Sequence, residues 1–387
     1  MNIYIDYTTV EDLEKDIGTY TGAGSYTRGV IRALKDHGSD IRLLVYEGFV
    51  PQKPVERELM PEGSSLIRTE DITGFEFSKD DILFLPAVTG RILEKARRIR
   101  KKNREMKIYA VIHDRQHNIR RFDPMDVLFH EGICRLVPVL FAKYMMKKLV
   151  YNCLYPGWIK SLDKVFTVSN HTLQALNHKD LKWISYFYQS SPVEKAVPQK
   201  FPGADEMGDY ILFVSGGRPE KNLGRGLIAF RELCSRIDTG SRLCITGIDR
   251  EKLYRIAGRL KIPKEFVDGQ VLSYDYVDTG MLSYMYNNCR NLLFLSKGEG
   301  FGLPVLEAIQ SGKTVLCSRQ SAIPEVAGSI LYYVDAFSTA SILEGMLYLA
   351  DDKNLAYRQE LVEKKRKIIK EQIELDRQVL IREIVGE

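Results

Sequence analysis

Paired cysteines are the first thing missing from this 387-residue sequence. Cys134, Cys153, Cys234, Cys244, Cys289 and Cys317 are scattered with no Cys-x-x-Cys pair, and several sit in apolar runs such as Leu243-Cys244-Ile245. That excludes a disulfide framework and a zinc knuckle, and it reads as reduced core thiols of a cytosolic protein. The opening Met1-Asn2-Ile3-Tyr4-Ile5-Asp6 lacks the basic start and long apolar stretch of a secretory leader. No run of about eighteen uncharged apolar residues is present, so no segment is expected to span a membrane. Strong charge of one sign is missing too. A formal net charge of +5 fits an anionic ligand or surface but does not demand nucleic acid, and the aromatic signatures of RNA binding are absent. No Asp-x-Asp pair follows a strand pattern, so neither a divalent metal nor a separate cofactor is expected. There is no internal repeat and no low-complexity tract.

What is present is ordinary globular composition, 44% hydrophobic and 28% charged, on a chain long enough for two α/β domains. Short apolar runs, loops and helical patterns alternate, as in parallel β/α layering. Strands are expected at Asn2–Tyr7, Ile41–Tyr46, Asp81–Pro86, Lys107–Ile112 and Lys164–Val168, then at Tyr210–Ser215, Arg242–Thr246, Asn291–Leu295 and Thr314–Cys317. The stretch from Gln189 to Gly208 holds three prolines and no clean period, which marks a linker. The expected division is a first Rossmann-like domain over 1–190, a linker over 191–208 and a second Rossmann-like domain over 209–367. A charged helix over about 368–387 would return to the first domain.

Open parallel sheets of this kind bind ligands at the carboxyl ends of their strands. Four polar or Gly-rich segments lie at such positions. In the strongest, Ser296-Lys297-Gly298-Glu299-Gly300-Phe301-Gly302-Leu303-Pro304-Val305-Leu306-Glu307-Ala308, glycines follow a buried-strand pattern and Pro304 suits the first turn of a helix ending near Gly312. The helix start favours phosphate, and the carboxylates of Glu299 and Glu307 could flank one ligand and accept hydroxyl hydrogen bonds. Solvent-facing charges are the plainer account of the same pair. The second segment, Ser215-Gly216-Gly217-Arg218-Pro219-Glu220-Lys221, puts two cations where a diphosphate leaving group could be neutralised; ordinary loop charges are the alternative.

The third segment, Ile112-His113-Asp114-Arg115-Gln116-His117, places His113 at a strand tip, able to hydrogen-bond a sugar or move a proton. The His-x-x-x-His spacing permits a metal, but no glutamate-rich helix accompanies it, and His117 reads as a surface residue. The fourth, Gly22-Ala23-Gly24-Ser25-Tyr26-Thr27, precedes a helical pattern carrying Val30, Ile31 and Leu34. Thr27 at the third glycine position makes it a poor dehydrogenase fingerprint, and a Gly-rich helix cap would serve as well.

In this order, from Gly22 to about Val326, the segments resemble family 4 of the retaining glycosyltransferases, whose GT-B fold has two Rossmann-like parallel-sheet domains facing across an interdomain cleft. The resemblance is most specific at Glu299-Gly300-Phe301-Gly302-Leu303-Pro304-Val305-Leu306-Glu307-Ala308, with further likeness at Ser321–Val326. Asp163–Ser169 looks like the last strand of the family's first domain. It implies transfer of a hexosyl group from a UDP- or GDP-linked sugar, with retained configuration, to a glycan or lipid-linked glycan acceptor in cell-surface polysaccharide synthesis. Glu299 would hold donor-sugar hydroxyls, and Glu307 the ribose. Gly300, Phe301, Gly302 and Leu303 would present backbone to sugar and phosphate. Lys221 would bind the diphosphate, Gly24 would let the first domain close on it, and His113 would stand beside the sugar. Relatives carry the arginine after the proline, whereas here Glu220 takes that place and Arg218 precedes Pro219. A GT-B sugar-nucleotide epimerase and an inactive nucleotide-sugar-binding protein remain alternatives.

Two further patterns bear on partners. The basic run Lys95 to Arg104, and the mixed stretch Leu140–Tyr155 with Phe141, Met145, Met146 and Leu149 among Lys143, Lys147 and Lys148, suit an anionic membrane surface. That would place a cytoplasmic enzyme at the inner face of the membrane. A solvated face and a packed amphipathic helix account for the same residues.

Overall fold

A computed structural model describes residues 2–15, 22–52, 54–61, 65–88, 90–114, 121–132, 136–176, 183–184, 191, 193 and 196–386. His117 and the first residues of the expected linker, including Gln189, lie outside these. The contacts divide the chain into two units: residues 1–118, 147–190 and 371–387 form the first, and residues 119–146 and 191–370 the second.

The first unit is built on a seven-stranded sheet of β1 (Ile3–Asp6), β2 (Ile41–Tyr46), β3 (Leu66–Thr69), β4 (Ile82–Leu85), β5 (Lys107–Ile112), β6 (Lys164–Thr167) and β7 (Trp183–Ile184). The order is β3-β2-β1-β4-β5-β6-β7, and every pairing is parallel. Ile82-Leu83-Phe84-Leu85 is wholly buried, as a parallel strand covered on both faces requires. β6 is therefore not the last strand, because Trp183 and Ile184 add β7 beyond it. The end of the helix Asp352–Val385 belongs to this unit: Lys164 Nζ donates to a Glu383 carboxylate oxygen at 2.9 Å, and Arg377 meets Asp36 at 3.0 Å.

The second unit holds β8 (Asp209–Phe213), β9 (Ser241–Thr246), β10 (Val271–Tyr274), β11 (Asn291–Phe294), β12 (Val315–Ser318) and β13 (Tyr332–Val334). Its order is β10-β9-β8-β11-β12-β13, again all parallel. Phe213, Phe230, Leu243, Leu293 and Leu316 lie in its apolar core. The chain lays down β8, β9 and β10 to one side, then starts again with β11 on the other flank of β8. The strand order thus reverses between β8 and β11, where open sheets leave a crevice for ligand. In the first sheet the equivalent point lies between β1 and β4.

Residues 119–146 fall in the second unit although the sequence division puts them in the first domain. The 3-10 turn Pro124–Phe129 packs so closely on the helix Leu223–Arg236 that a methyl at Gly224 would lie 2.7 Å from Leu128 Cδ1. Arg259 Nη1 donates to the His130 carbonyl at 3.1 Å and ties down the end of the same turn.

Candidate functional site

The two strands at the second unit's switch point feed the two strongest sequence segments. The loop after β8 is rigidly seated. The Gly216 and Gly217 amides donate to the Thr246 and Gly247 carbonyls at 2.8 and 2.9 Å, and Lys252 Nζ donates to the Gly217 carbonyl at 2.9 Å. A methyl at Gly217 would meet the Gly247 oxygen at 2.4 Å. Gly217 serves close packing of two backbones, Gly216 packs against the Ile245 side chain, and the amides of both are already used. Asn222, at φ 66°, then turns the chain into the helix Leu223–Arg236.

Between them stand the two cations, in different settings. Arg218 points outward, its side chain 64% exposed and ion-paired with Glu220. Lys221 is buried, its Nζ 2.5 Å from Glu299 Oε1 and 4.9 Å from the centre of the Phe294 ring. The loop after β11 is joined to the loop after β8 through the Lys297 amide, which donates to the Glu220 carbonyl at 2.8 Å. Lys221 and Glu299 are thus held together by backbone as well as by charge. The second oxygen of Glu299 takes no hydrogen bond among the described residues.

Gly300 is buried, Phe301 is half-buried, and Gly302 sits at φ 100°, a conformation that strains any residue with a Cβ. It opens the helix Leu303–Gln310, with Pro304 in the first turn; Gly312 at φ 73° ends it, as Lys313 N closes on the Ala308 carbonyl at 2.8 Å. The Leu303 amide, at the positive end of the helix, makes no hydrogen bond among the described residues. Glu307 lies in the second turn, buried, with Oε1 accepting from the Ser191 hydroxyl at 2.6 Å and Oε2 from the Tyr286 hydroxyl at 2.9 Å. Burial pushes its carboxyl up from the usual range, against those two hydroxyls and the charge of Lys221.

One group of site residues is invisible in the sequence. Lys297, between Ser296 and Gly298, is buried with its Nζ 2.7 Å from Asp123 Oδ2 and in an ion pair with Asp126. Arg225 binds both oxygens of Asp123, at 2.6 and 3.0 Å. Two cations and two anions so fix the strand end that carries Glu299. Burial works to raise the Asp123 carboxyl, but the hydrogen bonds and charges of Arg225 and Lys297 outweigh it and hold the group below the usual carboxylate range. The only local signal was a lysine in an otherwise glycine-rich loop.

The remaining sequence candidates, Gly22, Gly24 and His113, belong to the first unit. Gly22 is the first residue of the helix Gly22–Asp36, so the glycine segment forms the opening turns of that helix, not a loop before it. A methyl at Gly24 would lie 2.0 Å from Glu14 Oε1, which pairs with Arg28 at 2.8 Å in a buried cluster with Glu56 and Tyr7. A Cβ here would require the Glu14 and Arg28 side chains to shift. His113 follows β5; its Nε2 lies 2.8 Å from the Pro86 carbonyl, and its ring meets that of Tyr26 edge-on, centroids 5.0 Å apart. A carbonyl can only accept, so Nε2 carries the proton and Nδ1 of the neutral ring is left as an acceptor. Burial lowers the His113 pKa, which favours that neutral form.

Comparison with known proteins bears on both units. Residues 196–368 match the family model described as glycosyl transferases group 1. Over 174 residues the chain is 29% identical to the O-antigen chain mannosyltransferase B of Escherichia coli, covering 43% of this chain and 43% of that protein. A serotype-specific mannosyltransferase of Escherichia coli is 30% identical over 121 residues, 31% of this chain and 15% of that protein. The matches thus span less than half the length of these curated relatives. Among solved structures, an α,α-trehalose-phosphate synthase from Burkholderia xenovorans superimposes with a TM-score of 0.66 at 13% identity, covering 100% of both chains. The chain has the GT-B fold, and its residues 196–368 are similar in sequence to glycosyl transferases group 1.

Proposed function

We propose that this protein is a retaining glycosyltransferase of family 4 that moves a hexosyl group from a nucleoside-diphosphate sugar to a glycan or lipid-linked glycan acceptor in polysaccharide synthesis. The observation that carries the reading is the buried Lys221–Glu299 pair at the β8/β11 switch point, beside the helix start at Leu303. Charge develops on the diphosphate as the glycosidic bond breaks, and a buried ammonium with an open helix start is suited to stabilise it. Arg218 adds a second cation from the exposed side of the same loop. No metal or separate cofactor is assigned a part in this scheme.

Glu299 is bound to Lys221 through one oxygen, which suits it to accept sugar hydroxyls better than to attack carbon. The acceptor then approaches from the face the diphosphate leaves, and the departing phosphate takes its proton, so configuration is kept. Glu307 receives the ribose hydroxyls beside those of Ser191 and Tyr286. In the first unit, Nδ1 of His113 offers an acceptor for a sugar hydroxyl. The curated relatives are mannosyltransferases, which supports a UDP- or GDP-linked mannose as the first donor to test.

The test is turnover across a panel of UDP- and GDP-sugars with glycan and lipid-linked acceptors, with and without EDTA. Lys221→Ala and Glu299→Ala are each expected to lower the rate about 100-fold or more. Wild-type rates in both variants would sink the proposal. An altered sugar nucleotide without acceptor would identify an epimerase instead.

A further inference from the structure

The helix Val137–Ile159 is apolar around most of its circumference, yet its central turns stand open to solvent. Phe141, Met145 and Leu149 repeat at i, i+4 and share one face, and Met146 and Val150 form the neighbouring row. All five are exposed, Met146 by 68% and Leu149 by 63%. Phe141 meets the Phe122 ring edge-on, with centroids 5.1 Å apart, and still keeps an open face. A contiguous apolar surface of this kind marks an interaction site, and a helix apolar on most sides normally sits in a core or in lipid.

The charges choose the partner. From Leu136 to Leu162 the sequence carries Lys143, Lys147, Lys148 and Lys160 and neither aspartate nor glutamate. At 3.6 residues per turn, Lys143 and Lys147 border the Met146–Val150 row, and Lys148 borders the Phe141–Leu149 row. The apolar strip is thus edged by cations on both sides. A second basic element reaches the end of this helix: in the helix Gly90–Lys102, Arg100 Nε donates to the Ser161 carbonyl at 3.2 Å, and Arg97, Lys101 and Lys102 are exposed. Two copies of the chain joined across this face would bring rows of lysines together with no acid on the helix to answer them. An anionic lipid surface answers both the apolar strip and its cationic edges. No helix among the described residues is long and apolar enough to cross a membrane, so this one would lie along the surface.

We propose that the Val137–Ile159 helix is a docking face for an anionic lipid bilayer. Phe141, Met145, Met146, Leu149 and Val150 enter the boundary of the acyl chains, and Lys143 and Lys147 meet headgroup phosphates. The inference rests on this surface alone and stands whether or not sugar transfer is found.

Flotation of the full chain with vesicles of phosphatidylcholine, or of phosphatidylcholine with about one-third phosphatidylglycerol, tests it. Binding to the anionic vesicles only, weakened in high salt, is expected. Lys143→Gln with Lys147→Gln should lower partitioning about fivefold per lysine. The triple variant Met145→Ser, Met146→Ser, Leu149→Ser should lose at least tenfold while melting at the wild-type temperature, because all three side chains are exposed. Failure to bind anionic vesicles, or binding that neither variant weakens, overturns the proposal. So does a dimer on sizing that the triple variant breaks apart, since a second copy would then cover the face.

Discussion

Replacing Asp123 by alanine isolates the energetic role of the charge network behind the Glu299 loop. Among the described residues the substitution leaves two buried cations with one anion: Lys297 keeps Asp126, and Arg225 keeps the Asn222 side-chain oxygen, at 3.0 Å, and the Phe337 ring. Removing one partner of a buried ion pair costs about 3–5 kcal/mol. Because Asp126 remains and is partly open to water, the lower end, about 3 kcal/mol, is expected. For a domain of roughly 150–250 residues that lowers the melting temperature by about 6–12 °C. The Asp123 carboxyl sits below its unfolded value, so its contribution is present above about pH 4 and is lost as pH falls through the folded value. Scanning calorimetry of wild type and variant at pH 7, 4 and 3 should show a full gap at pH 7 that shrinks on acidification. Asp123→Asn, which keeps the shape, should fall between them. A variant melting within about 2 °C of wild type at pH 7, or a gap as wide at pH 3 as at pH 7, would refute the reasoning.

Three further outcomes follow from the geometry. Burial pushes the Glu11 carboxyl up to about 7, so ionising it costs stability as pH rises from about 4 to 7. Glu11→Gln, still able to accept from the Tyr46 amide, should flatten that fall and raise stability at pH 8 by about 1 kcal/mol after screening, read by urea titration. Gly24→Ala forces a methyl into Glu14 and should cost about 1–3 kcal/mol in the same titration; an unchanged midpoint would show that the Glu14–Arg28 pair moves freely. Arg218→Ala should lower turnover less than tenfold, far less than Lys221→Ala, because Arg218 is mostly exposed; equal losses would reverse their ranking.

How much was legible can be argued strand by strand. The nine strands expected from continuous apolar runs are present, and the four not expected are β3, β7, β10 and β13, the edges of the two sheets. An edge strand is covered less, so Leu66–Thr69 and Val271–Tyr274 mix half-buried and polar positions and lack the signature of a buried run. The strand-loop-helix around Glu299 was readable because glycine, proline and a buried strand act locally. The glycine roles were less so. The packing neighbours of Gly24 and Gly217, Glu14 and the Gly247 carbonyl, are visible only in the structure. The Lys297–Asp123 contact joins positions 174 residues apart, and no local pattern encodes it.

The way the two units share the chain also bears on how the protein is made. Residues 119–146 are synthesised before the body of the second unit, and residues 371–387 of the first unit follow all of it. On a ribosome, Asp123 must wait for Arg225 and Lys297, and Lys164 must wait for Glu383, with charged groups bound for burial meanwhile kept in water. Neither unit can be excised as a single stretch of gene, and a fragment ending near residue 190 would leave the first sheet without its closing helix. The first unit is therefore complete only once residues 371–387 have been made.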